Sequence, residues 1–144
     1  MKNQLFDLTK KVSLITGGNG GIGLGMAKGL ASCGSDIAII GRNVEKNLKA
    51  KEELAQFDVR VETYSIDVSN EKDVRETISN VVNDFGRIDT VFANAGMNLF
   101  GGSFEDMDTE VYRKVLAVNL DGVFFTLRES CKHMVERAKN GDPG

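Results

Sequence analysis

The sequence predicts an α/β fold, a doubly wound parallel sheet with helices on both faces, and three observations carry that prediction. Short β-branched runs alternate with longer stretches of helical periodicity four times over. Half of the 16 glycines crowd residues 17–34, directly behind the first of those runs. The 144 residues allow one domain of ordinary size and leave no room for a second, substrate-binding one.

The elements follow in order. Residues 11–16 form a short β-branched run that stops at Gly17. The glycine turn leads into a helix over 22–33, where Ile22, Met26, Ala27 and Leu30 recur at helical spacing and Gly34 fits the position after the C-cap. A second strand spans 36–40 and ends at Gly41-Arg42-Asn43. Asn43 can cap a helix to about Gln56, with Leu48 and Leu54 inward. Residues 59–66 alternate apolar and polar, as a strand nearer a sheet edge does. Ser69 is then a candidate N-cap, with Glu71 and Asp73 in the first turn, where the helix dipole favours acids. The helix over 70–85 gathers Val74, Ile78, Val81, Val82 and Phe85 on one face, and Gly86 ends it. A fourth strand over 88–93 runs into Asn94-Ala95-Gly96. After a loop with Gly101 and Gly102, a helix starts near Asp108 with Val111, Val115 and Val118. Its apolar stripe continues through Leu120, Val123, Phe124, Leu127, Cys131, Met134 and Ala138 to about Lys139.

Composition excludes several functions. A net charge of −3 argues against a nucleic-acid or anionic-membrane surface. No apolar run approaches the roughly 18–20 residues that span a bilayer, and residues 1–11 lack the apolar core of a signal peptide. Cys33 and Cys131 match no metal-ligand spacing, so buried reduced thiols are expected and no metal site is. The acids Glu105, Asp106 and Asp108 read as a solvated loop and helix start. The lone His133 reads as a surface residue. A cytoplasmic, soluble protein is expected.

In folds of this class ligands sit beyond the carboxyl ends of the strands. The first such end is Gly17-Gly18-Asn19-Gly20-Gly21-Ile22-Gly23, which satisfies both Gly-x-Gly-x-x-Gly and Gly-x-x-x-Gly-x-Gly. Between a strand and a helix, missing Cβ atoms let the chain turn sharply and let a pyrophosphate approach N–H groups at the helix N-terminus. No Gly-Lys-Ser/Thr follows, so a P-loop is excluded. A tight turn without a ligand is the structural alternative.

Four motifs in this order, Thr16-Gly17-x-x-x-Gly21-Ile22-Gly23, Asp67-Val68, Asn94-Ala95-Gly96 and Val118-Asn119, resemble the short-chain dehydrogenase/reductase family across essentially the whole chain. Leu5-Phe6-Asp7-Leu8-Thr9 looks like the branch acting on sugar acids such as gluconates, and related 3-oxoacyl reductases look similar there. The resemblance implies a Rossmann domain and hydride transfer between a nicotinamide cofactor and a small alcohol or carbonyl substrate. It places Gly17, Gly21, Ile22 and Gly23 at the cofactor pyrophosphate, with Asn19 shaping the loop. It places Asp67 and Val68 at the adenine, and Asn94, Ala95 and Gly96 beside the adenosine ribose. Asp67 as a helix-start acid and Asn94 as a turn former are the alternatives. An acid at the end of the second strand would bind a ribose 2′-OH; here Gly41 is followed by Arg42 and Asn43, and a guanidinium suits a 2′-phosphate. NADP is therefore favoured over NAD, with Arg42, Asn43 and Val118 counted among the cofactor residues.

The family's chemistry also uses a Ser and a Tyr-x-x-x-Lys, with an Asn holding a water in the proton relay. Asn119 matches that Asn. The two tyrosines, Tyr64 and Tyr112, do not begin Tyr-x-x-x-Lys. Residues 1–144 are accordingly expected to be an incomplete NAD(P)-binding domain of about four strands, inactive alone, with an exposed apolar edge on the fourth strand. The alternative is a non-catalytic dinucleotide-binding or interaction module. The resemblance further implies a homodimer or homotetramer through the 108–139 helices.

Overall fold

β-branched and apolar residues fill β1 (Val12–Thr16) and β2 (Asp36–Ile40), and all five residues of β1 are buried. A computed structural model describes residues 6–98 and 103–143 of the chain. Leu5 and the loop glycines Gly101 and Gly102 lie outside the described residues. With β3 (Val61–Tyr64) and β4 (Thr90–Ala93), the strands form a parallel sheet of order β3-β2-β1-β4. Ile15 is in register with Ile39 on one side and Phe92 on the other.

Successive residues of each strand face opposite sides, so the sheet builds two cores. Leu14, Ala38 and Ile40 meet Val74, Ile78 and Val81 of α3 (Glu71–Phe85). Ile15, Ile37 and Ile39 meet Ala27 and Ala31 of α1 (Gly21–Ser32) and Ala50 and Leu54 of α2 (Val44–Leu54). A turn at Phe104–Asp106 precedes α4 (Thr109–Leu116), a π-helical turn (Ala117–Asp121) and α5 (Gly122–Lys139). Right-handed helical dihedrals persist through both junctions, at Ala117 and at Asp121, so this is one helix with a widened turn in it.

The doubly wound α/β arrangement is as expected, and the departures have local causes. β3 and β4 are shorter than the 59–66 and 88–93 runs, and they occupy the two edges of the described sheet. Asn70, not Ser69, caps α3, accepting from the N–H groups of Lys72 and Asp73, because the Ser69 hydroxyl donates to Asp67 at 2.8 Å. In α2 the inward residues are Asn47, Ala50 and Leu54, while Leu48 is exposed. Much of the stripe expected along the last helix points outward: Leu120, Phe124, Leu127 and Cys131 are exposed, while Val118 is buried and Met134 packs against the core. Its buried face is instead Gly122, Thr126, Glu129 and Ser130. A Cβ at Gly122 would stand 2.8 Å from Val68 Cγ2, so close approach of backbone to the sheet end sets the helix's rotation, not its largest side chains. Cys33 is only half-buried and Cys131 is exposed, against the buried thiols expected. His133, expected at the surface, is half-buried: its Nε2 is enclosed and has no hydrogen-bond partner among the described residues.

Candidate functional site

The carboxyl ends of β1, β2, β3 and β4 open onto one cleft of about 270 Å³. Nine of the sequence-derived site residues line it: Gly17, Asn19, Arg42, Asn43, Asp67, Val68, Ala95, Gly96 and Val118. Gly21, Ile22, Gly23, Asn94 and Asn119 do not line it, although most of them shape its walls. Ile22 is 76% exposed at the start of α1.

The glycine loop is shaped by contacts no side chain would allow. Gly17 adopts φ +68°, a conformation open to glycine at little cost. A Cβ on Gly23 would run into the Gly17 carbonyl and lie 2.6 Å from the Asn94 amide nitrogen. Asn94 Nδ2 in turn donates to the Thr16 carbonyl at 3.1 Å, and Ala95 N–H donates to Thr16 Oγ1 at 2.9 Å. These contacts lock the segment after β4 against the end of β1. Gly20, the residue before α1, has no side chain to cap the helix, so first-turn N–H groups face the loop without a side-chain acceptor.

On the opposite wall, Arg42 lies 3.6 Å from Asp67. Burial raises the Asp67 carboxyl, but the Ser69 N–H and hydroxyl and the Arg42 charge outweigh it and hold the group below the usual carboxylate range. Asn43 caps α2 by accepting from Lys46 N–H at 2.8 Å, which leaves the Lys46 side chain on the cleft wall one turn from Arg42. Lys46 was not singled out from the sequence, though its i+4 spacing from Arg42 behind a capping Asn was a usable signal. Asn47 was also missed. It is 1% exposed, donates to the Gly41 carbonyl at 3.0 Å and to Ser65 Oγ at 2.9 Å, and accepts from Asn19 Nδ2 at 2.6 Å.

Asn119 sits in the π-helical turn, where the widened backbone carries it to the segment after β4. It accepts from the Met97 N–H at 2.8 Å and donates to the Met97 carbonyl at 3.0 Å. Among the described residues no group of three His, Cys, Asp or Glu could hold a metal, and no helix is long and apolar enough to cross a membrane.

Gly17 of the glycine loop, Asp67 with its partner Arg42, and Lys46 thus border one cleft. The family model for short chain dehydrogenases matches residues 11–142. The chain belongs to that family. It is 35% identical to the sorbose reductase of Schizosaccharomyces pombe over 137 residues, covering 94% of this chain and 54% of that protein. It is 37% identical to the NADP-dependent (R)-specific alcohol dehydrogenase of Lentilactobacillus kefiri, covering 88% of this chain and 50% of that one. The crystal structure of NAD+-bound xylitol dehydrogenase superposes with a TM-score of 0.88 at 35% identity, over 90% of this chain and 50% of that one. The chain thus spans about half the length of the relatives it matches, and those relatives are oxidoreductases named for both NAD and NADP.

Proposed function

We propose that residues 1–144 form the dinucleotide-binding portion of a short-chain dehydrogenase/reductase that uses NADP(H) in preference to NAD(H) and acts on a small alcohol or carbonyl substrate. The Arg42–Lys46 pair on the cleft wall carries this reading, because nothing acidic stands at position 41 to take a free 2′-OH. The residues fit a dinucleotide. Gly17, Gly21, Ile22, Gly23 and Asn19 surround the pyrophosphate position at the N-terminus of α1, where backbone N–H groups and the dipole favour anions. Asp67 and Val68 flank the adenine position. Ala95 and Gly96 border the adenosine ribose, held in place by Asn94 and Thr16. Asn43 orients the first turn of α2, and Val118 closes the floor. A bound nicotinamide would supply or accept the hydride.

Asn119 is the one residue of the proton-relay set in this sequence. Its amide fixes the Met97 backbone, directly after Ala95 and Gly96 of the cleft wall. With no Tyr-x-x-x-Lys in the 144 residues, the chain by itself is expected to bind dinucleotide without turnover. A non-catalytic binding module is the second reading, favoured by the same observation. The exposed row Leu120, Phe124, Leu127 and Val135 supports a homodimer or homotetramer through α4 and α5.

Fluorescence titration of NADPH and NADH against the chain and its Arg42→Ala variant tests the cofactor reading. Loss of a charge-assisted contact should weaken NADPH about tenfold or more and leave NADH nearly unchanged. Unaltered NADPH affinity would sink the assignment.

A further inference from the structure

The carbonyl end of β2 is a tightly packed backbone position on the cleft wall. A Cβ on Gly41 would collide with the Asn19 amide and lie 2.7 Å from Asn47 Oδ1. Asn19 alone could swing aside, since it is only half-buried at the loop surface. Asn47 removes that freedom. Its Oδ1 accepts from Asn19 at 2.6 Å, and its own amide nitrogen is tied to the Gly41 carbonyl and to Ser65. Every polar atom of the Asn47 side chain is therefore engaged, at a residue 1% exposed to solvent.

We propose that Asn47, acting through Asn19, is a selectivity gate for the dinucleotide. The pair fills the space above Gly41 and bars any side chain there, including an acid that would bind a ribose 2′-OH. Recognition of that ribose then falls to the cations Arg42 and Lys46. Asn47 is a positioning residue, not one that touches the cofactor. This inference rests on the dinucleotide reading of the cleft but adds a determinant to it: preference is held by a buried amide behind the site as well as by charges within it. Cofactor exchange at position 41 is thus coupled to position 47.

The test is a double-substitution cycle on the 144-residue chain, with Gly41→Asp, Asn47→Ala and the pair together. NADPH and NADH affinities are read by fluorescence and stability by thermal unfolding. Gly41→Asp alone should lower Tm by about 5 °C, as overpacking does, and should gain no NADH affinity. Adding Asn47→Ala should relieve the clash, so that NADH binds about tenfold more tightly than in Gly41→Asp. Asn19→Ala serves as the relieving change if Asn47→Ala does not fold. Should Gly41→Asp by itself keep its Tm and switch preference to NADH, there is no gate. A non-additive Tm cycle in a chain that binds neither dinucleotide would overturn the dinucleotide reading, and the selective role with it. An additive Tm cycle in a chain that binds NADPH would overturn the gate alone.

Discussion

Gly23 and Gly25 lie two residues apart in α1, yet the same change to alanine should have opposite signs. Gly25 has open space where a Cβ would go, so Gly25→Ala should gain the ordinary helix-propensity difference, about 1 kcal/mol. Gly23 gains the same propensity but places its Cβ against the Gly17 carbonyl, 2.9 Å from the Gly17 carbonyl carbon and 2.6 Å from the Asn94 amide nitrogen. Comfortable heavy-atom separations begin near 3.5 Å, so helix and loop must part by about 1 Å. The loop cannot give way easily, because Asn94 and Thr16 bind it to the strand behind it. Overpacking of this kind costs about 1–3 kcal/mol, and more when backbone must move. With the propensity gain deducted, Gly23→Ala should be about 2 kcal/mol less stable, a fall in Tm of about 6 °C, while Gly25→Ala rises by about 3 °C. Urea titration at constant m-value is the assay, with NADPH binding as the second readout. A Gly23→Ala chain as stable as Gly25→Ala, or one that binds NADPH undiminished, would refute the claim that this glycine exists for close approach.

Asp89, 5% exposed, accepts from the Val12 N–H and pairs with Arg87 and Arg137; burial raises its carboxyl, but these partners hold it below the ordinary range. A depressed pKa contributes stability that is complete above pH ~4 and is lost as pH falls through the folded value. Asp89→Asn should therefore cost about 2–4 kcal/mol at neutral pH and flatten the acid limb of a denaturation series. Burial, with the Arg137 charge, lowers the pKa of His133, so the unfolded chain takes up a proton first and stability declines as pH drops below ~6.5; His133→Gln should remove that component, seen as a shallower Tm profile between pH 5 and 7. Asn119→Ala should cost about 1 kcal/mol and speed amide hydrogen exchange at Met97, whose N–H it holds. Phe124→Glu with Leu127→Glu should leave the chain monomeric by sedimentation if the outward row of α5 is an oligomer surface, and unchanged self-association would dismiss that role.

Periodicity and turn chemistry were enough for the order of elements, because a doubly buried strand needs an unbroken apolar run and a helix after it needs a cap. That Gly17, Asp67 and Val68 meet at one cleft was readable for a related reason: all three follow the carboxyl ends of strands, which a parallel sheet gathers on one side. Long-range geometry was not. Which side of α5 is buried depends on how near Gly122 comes to Val68, so the largest side chains, Phe124 and Leu127, were a misleading guide. The role of Asn47 depends on three partners drawn from the glycine loop, the β2 end and Ser65, and no spacing along the chain announces that meeting. By itself, then, the sequence determined the α/β class, the glycine turn that opens α1 and the family. Only the tertiary structure decided how the walls of the cleft hold one another, since that follows from packing distances between segments that local pattern leaves free.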